Sequence, residues 1–237
     1  MDETITFIPF SRLLIIFIPS GIVSFLIYSW SLEWKSSLYA LGRMLGQLVL
    51  MGYFLSYIFN SNSSLTILCI LISMVVVASW IALRILNKKR INLLKYAFIA
   101  IAIGGGINLF IVTHLLLQLD PWYMPRFMVP LAGMIFSSAM NGVSLAGERL
   151  LAEIDKGIIY DNAKRIAFKA SLIPMINSLF AVGLVSLPGM MTGQILSGIS
   201  PLTAARYQIM VMCMIFNSVG LASYIFLVLL KHRSKKK

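Results

Sequence analysis

The sequence predicts an all-α, polytopic membrane protein with seven transmembrane helices, its N-terminus outside and its C-terminus in the cytoplasm. Three observations carry this. Of the 237 residues, 59% are apolar and only 12% charged, about half the charged fraction of an ordinary soluble domain, and the mean hydropathy is +0.89. The apolar residues gather in runs of about twenty, the length a helix needs to cross a bilayer. The Lys and Arg residues fall between those runs and crowd one side of the threading, the asymmetry that sets membrane orientation.

Taken in order, the spans lie at about 13–32, 41–59, 65–83, 96–117, 127–147, 172–197 and 207–230, forming one transmembrane domain over 1–237. The first is expected to stay in the chain: Asp2 and Glu3 stand where a cleavable leader would be basic, and the apolar run continues through Pro19 to Leu32. Under this threading 17 of the 20 cations are cytoplasmic, and only Arg12, Arg126 and Arg206 are outside. Trp30 and Trp34 at an inner edge, and Trp122 and Tyr123 at an outer one, sit where amphipathic rings prefer to be. The net charge of +12 therefore points to membrane orientation and anionic lipid, not to nucleic acid. Cys69 and Cys213 both fall within apolar runs and supply no disulfide framework.

The outer connections are short, which leaves residues 148–171 as the sizeable cytoplasmic loop. In it Leu150, Leu151, Ile154 and Ile158 recur at helical spacing while Arg149, Glu153 and Lys156 fall mostly on the other side. This predicts an amphipathic helix or an extension of the fifth span, bent near Gly157. It is either an interfacial helix shielding the loop or a docking element for a cytoplasmic partner.

Polar groups inside spans must face protein or water. Ser137, Asn141, Ser144 and Glu148 share a face of the fifth span, and Cys213, Asn217, Gly220 and Tyr224 repeat the spacing on the seventh. Such rows line a translocation path or merely bond helix to helix. The sixth span is the least regular. Pro188 lacks an amide donor and Gly189 follows it, so the helix is expected to break or re-enter there, with Gln194 beyond the break. Gly189 and Gly193 also fit a small-residue packing face, and the run Gly104 to Gly106 reads as helix packing or a kink.

The fourteen methionines are read as apolar gap-fillers and not as soft-metal ligands, and neither His114 nor His232 has a partner at metal-ligand spacing. No GxxxxGK[ST], HExxH or GxSxG string occurs, so the chain is not expected to bind ATP through a phosphate loop or to act as an enzyme.

Three segments carry a resemblance to a known family. VGLVSLPGMMTGQILSGISPLTAARYQIMVM from Val182 to Met212, GRMLGQLVLMGYFL from Gly42 to Leu55, and PLAGMIFSSAMNGVSLAGERL from Pro130 to Leu150 resemble the signatures of the FetB (YbbM-like) family of metal-resistance ABC-transporter permeases, whose plant relatives are associated with aluminium tolerance. Met44 stands where the family often has Thr, and Ser137 and Ser138 where it often has Gly and Asn.

The resemblance implies a permease working with a separately encoded, FetA-like ABC ATPase that binds the ATP, with iron export as the cargo reaction, in a bacterial cytoplasmic membrane. Residues 148–171 then read as the ATPase-docking segment, with Glu148, Arg149, Glu153, Asp155 and Arg165 as its contacts. A homodimer is expected to open and close a path lined by Asn141, Ser144, Glu148, Pro188, Gly189, Gln194 and Asn217. The competing readings are a nucleotide-independent cation carrier and a membrane scaffold. A carrier calls for a charged pair inside the spans, which only Glu148 approaches; a scaffold has no use for a broken sixth helix.

Overall fold

The computed structural model describes residues 9–59 and 63–234. Asp2, Glu3, Asn60 and Lys235 to Lys237 lie outside the described residues, as do the side chains of Lys88, Lys89, His232 and Arg233. The described chain is helical with no strand, as expected where every backbone donor must be satisfied within its own segment. Among the described residues six helices are long and apolar enough to cross a membrane: Ser11–Ser29, Trp34–Ile58, Ser64–Ala82, Arg90–Leu116, Pro125–Asp155 and Pro201–Lys231.

The chain divides into two compact units, Met1–Ser61 and Asn62–Lys237. The first is a helical hairpin. Helix α1 (Phe10–Leu13) runs through a 3-10 turn into α2 (Phe17–Ser29), and α3 (Trp34–Ile58) returns after a turn at Ser31, where Tyr28 meets Trp34 edge to face at 5.6 Å. The serines of α2 are satisfied within the helix, Ser24 Oγ donating to the Ser20 carbonyl at 2.9 Å, which removes the penalty of a hydroxyl in hydrocarbon.

The second unit is a bundle of α4 (Ser64–Ala82), α5 (Arg90–Phe110), α6 (Pro125–Asp155), α7 (Tyr160–Ala181), α8 (Gly189–Leu196) and α9 (Pro201–Ser234). Ser63 caps α4 by accepting from the Thr66 amide. Arg90 ties α5 to the end of α4: its guanidinium lies 3.5 Å from the Trp80 ring centroid and its Nη2 donates to the Trp80 carbonyl at 2.6 Å. The core lies where α5, α6 and α9 meet, and it is built on small residues, Ala97, Ala100, Ala132, Ala139, Ala146 and Ala222 all being fully buried. Small side chains let backbones approach, which is the means of packing left when lipid is as apolar as the helix. At Gly104 the approach is closest, since a β-carbon there would lie 2.7 Å from the Ala222 amide nitrogen. The Gly104 to Gly106 run is thus partly a packing surface, while Gly106 itself faces open space.

The expected extension of the fifth span and the bend near Gly157 are both present: α6 continues to Asp155, Gly157 takes φ +84° in a short turn, and α7 begins at Tyr160, so little of 148–171 is loop. Hydropathy ends the spans where charges begin, but Arg149, Glu153, Lys164 and Lys169 are good helix formers, so the helices run on past the apolar zone. Span 172–197 is broken, as the Pro188–Gly189 pair predicts, but the break starts earlier than that pair. It splits into α7, an irregular segment 182–188 held by Gly183 N–H donating to the Ser186 carbonyl at 3.0 Å, and the short α8. The break begins six residues before Pro188, which instead caps α8 with ψ 147°. Pro pushes the preceding residue out of helical geometry but suits a helix start.

Candidate functional site: two grooves along the broken arm

Along α6, Phe127, Leu131, Met134, Ser138, Asn141 and Leu145 follow one another by four, three, four, three and four, so they form one stripe of the helix. Two grooves open onto that stripe. The one at the N-terminal end of α6, termed the outer groove after the side that the charge asymmetry predicts, is about 250 Å³ and lies between Arg126, Pro130 and Met134 of α6, Met190 and Gln194 of α8, and Tyr207 and Met210 of α9. The middle one, of about 160 Å³, is lined by Ser138, Asn141 and Leu145 of α6, by Ser171, Pro174 and Ser178 of α7, and by Ile215 and Val219 of α9. Both therefore have α6 and α9 as one wall and the two limbs of the broken element as the other. A third and larger groove, about 460 Å³, is apolar and lies against the irregular segment, with Val182, Leu187, Met191, Met212 and Cys213 among its walls.

Local chemistry explains the polar character of the first two. Ser171 and Ser178 donate to the carbonyls of Phe168 and Pro174, at 2.8 and 3.0 Å, which satisfies their hydrogens and leaves oxygen lone pairs toward the groove. Pro174 and Pro130 are interior to α7 and α6 and remove the amides that would pair with the carbonyls of Ala170 and Arg126. Gln194 carries a side-chain oxygen that is buried and has no hydrogen-bond partner, and Gln208, in the third groove, carries another.

Of the residues expected on a path, Asn141 lines the middle groove and Gln194 the outer one. Ser144 is half-buried on α6, and Glu148 and Asn217 are exposed. Pro188 and Gly189 open α8; among the described residues a β-carbon at Gly189 or Gly193 meets nothing within 4 Å, so no described helix packs on that glycine pair.

The opposite end of the bundle is closed by ion pairs. Glu153, expected on a solvated face, is 3% exposed; Arg149 and Lys156, one turn to either side, reach its carboxylate at 2.8 and 3.4 Å. Lys231 Nζ lies 2.7 Å from Asp161 Oδ1, and the hydroxyl of Tyr160 donates to the Leu227 carbonyl, so the start of α7 is fastened to the end of α9. The bond from Lys231 holds the Asp161 carboxyl below the usual carboxylate range, with Lys164 assisting. Burial, reinforced by Asp161, pushes the Tyr160 hydroxyl up to about 12. Asp155 and Arg165, both exposed, flank this end. The charges thus segregate, with Arg126 and Arg206 at the groove end and Arg149, Lys156, Lys164 and Lys231 at the other.

Asn108, two residues beyond the glycine run, has no signal in the sequence beyond an amide in an apolar span. It is 2% exposed and donates to the Met214 carbonyl and, at 2.6 Å, to Ser218 Oγ, joining α5 to α9. His114 stacks on Phe110 at 4.6 Å and meets Thr113 Oγ1 at 3.1 Å. Among the described residues no group of three or more His, Cys, Asp or Glu side chains is placed to hold a metal ion.

Comparison with known proteins agrees with this architecture. The pattern of UPF0014, described as an uncharacterised protein family, matches residues 10–158 and 159–234. A UPF0014 membrane protein of Synechocystis is 36% identical over 193 residues, covering 75% of this chain and 74% of its own. The protein of Escherichia coli K12 named "Probable iron export permease protein FetB" is 37% identical over 211 residues, 81% of this chain and 78% of its own. The Arabidopsis thaliana protein ALUMINUM SENSITIVE 3 is 32% identical over 214 residues, 83% and 76%. No solved structure matches. With six apolar helices long enough to cross a bilayer and a family match over nearly its whole described length, the chain is a multi-pass integral membrane protein and belongs to the UPF0014 family.

Proposed function

We propose that this membrane permease is the transmembrane subunit of an ABC-type metal exporter, with iron as its cargo, driven by a separate ATPase subunit and acting as a homodimer in a bacterial cytoplasmic membrane. The name of the Escherichia coli relative supports the cargo. The observation that carries the reading is the broken arm from α7 to α8, which walls two polar grooves and whose far end forms a tight hairpin with α6. With the cation-rich end inside, the turn at 156–159 faces the cytoplasm, as does the C-terminal end of α9, and the outer groove opens on the opposite side.

The ATPase meets the exposed Asp155 and Arg165 beside that turn. Displacement there is not absorbed locally, because Asp161–Lys231 and Tyr160–Leu227 lock α7 to α9. It is passed along α7 to the irregular segment 182–188, where the middle groove gives way to the outer one. Nucleotide drives the switch only through differential affinity for the two arrangements.

The test is co-expression with the cognate ATPase. The ATPase is expected to co-purify and its hydrolysis to be stimulated, with Asp155→Lys and Arg165→Glu together lowering the stimulation severalfold at unchanged membrane levels. Labelled iron should enter inside-out vesicles only with ATP and the partner. Absence of both co-purification and stimulation rejects the ATPase-driven reading and favours a nucleotide-independent carrier.

A further inference from the structure

The outer groove says what kind of cargo could stand in it. Three polar side chains from three helices meet there: Arg126 of α6, Gln194 of α8 and Tyr207 of α9. Among the described residues Arg126 has no carboxylate in ion-pair range, and the side-chain oxygen of Gln194 is buried without a donor. No Asp or Glu lines the groove, and Met134, Met190 and Met210 supply an apolar, polarisable wall.

The charge of Arg126 is what selects against a bare metal ion. A hard cation binds through anionic or carbonyl oxygen, and here the one formal charge is positive. The Arg126 guanidinium, exposed at the mouth of the groove and without a carboxylate partner, is free to take a carboxylate or phosphate by two parallel bonds. A buried amide oxygen without a donor calls for a hydroxyl or N–H. Thioethers favour an aromatic or otherwise apolar body.

We propose that the outer groove is a binding site for a metal-free organic anion that carries a hydrogen-bond donor on an apolar body. The proposal rests on the permease reading above and names the ligand class of this groove.

Binding to the purified protein without ATPase separates the two ideas, since ATP-driven iron transport could survive the failure of this one. The probes are salicylate, benzoate, ferric salicylate and ferrous ion alone, titrated by calorimetry into protein in nanodiscs of neutral lipid. Saturable salicylate binding is expected, weakened at least about tenfold by Arg126→Gln and much less by Arg126→Lys, in line with loss of a charge-assisted bond. Gln194→Leu should weaken salicylate and leave benzoate, which lacks the donor, unchanged; that difference survives any general loosening of the fold. Ferric salicylate, whose metal takes both the carboxylate and the deprotonated hydroxyl, should bind more weakly than salicylate, and tighter binding would overturn the proposal. No saturable salicylate binding, equal affinity in Arg126→Gln, competition by ferrous ion alone, or displacement of salicylate by added phosphatidylglycerol would overturn it too, the last by making the groove a lipid headgroup site.

Discussion

The pillar of α5, α6 and α9, on which the first half of α7 also packs through Ala163 and Ala167, and the stretch of the arm from Phe180 through α8 use much the same residues and pack in opposite ways. In the pillar, alanines and Gly104 bring backbones into contact, and Asn108 makes two bonds across the seam. In the arm, Phe180, Leu184 and Val185 are 78%, 90% and 85% exposed, and among the described residues nothing packs on Gly189 or Gly193. Few buried contacts and an interrupted hydrogen-bond ladder mark a segment of low local stability. The pillar is the frame, and the arm is the part whose rearrangement costs least. Irregular backbone at membrane depth is tolerated where protein or a water-filled cavity covers it, and the grooves beside the arm supply part of that cover.

The comparison breaks first at the glycines. Gly104→Leu drives a branched side chain into the Ala222 backbone, which cannot give way as a flexible side chain would; a loss of about 3 kcal/mol is expected, the upper range for overpacking. In the arm, Gly193→Ala enters open space inside a helix and should gain about 0.5–1 kcal/mol by propensity alone. Thermal unfolding of both variants in detergent checks the opposite signs. Equal losses would mean that the arm is packed as tightly as the pillar.

How much of this was legible in the residues follows from what hydropathy measures. It reports immersion in lipid, so the apolar spans and the all-α class were readable, but Lys164, Arg165 and Lys169 hid the first turns of α7. Pro188 announced a break, although the proline starts the new helix and the chain leaves α7 at Val182. Asn141 and Gln194 stood out as amides in apolar runs and do line grooves. Arg126 entered only as one of three outer cations and Tyr207 not at all, because their meeting with Gln194 depends on three helices converging, which no local spacing encodes. Glu153 misled in the other direction: helical periodicity put it with the charged face, whereas its neutralisation by Arg149 and Lys156 lets it be buried.

The fastening between arm and pillar offers a finer test. Tyr160→Phe deletes the bond to the Leu227 carbonyl and should cost about 1 kcal/mol. The sign with pH is fixed by the upward shift. The hydroxyl titrates near 10 when unfolded and at about 12 in the folded chain, so its contribution is full below the unfolded value and disappears as pH rises through the folded one. The wild-type chain should therefore lose stability between those values relative to Tyr160→Phe, as read by denaturant unfolding at stepped alkaline pH. Parallel curves would mean that the hydroxyl is free in solution.

Asp161 gives the smallest effect and the most selective one. Its folded pKa lies below the unfolded value, the Lys231 bond being the chief cause. The stability it confers is therefore present above the unfolded carboxylate range and is lost as pH falls through the folded value. The carboxylate is exposed, so screening keeps the global change small and salt-dependent. Local opening is the better readout: in Asp161→Asn the first-turn amides of α7 should exchange hydrogen faster at neutral pH and low salt, while those of α5 in the pillar keep their protection. Acidifying the wild-type chain should reproduce that pattern, and Lys231→Gln should give a smaller effect than Asp161→Asn, since Lys164 still reaches the Asp161 carboxylate at 3.4 Å. If α5 loosened together with α7 in these variants, the arm and the pillar would open as one unit, and the distinction between frame and moving part would fail.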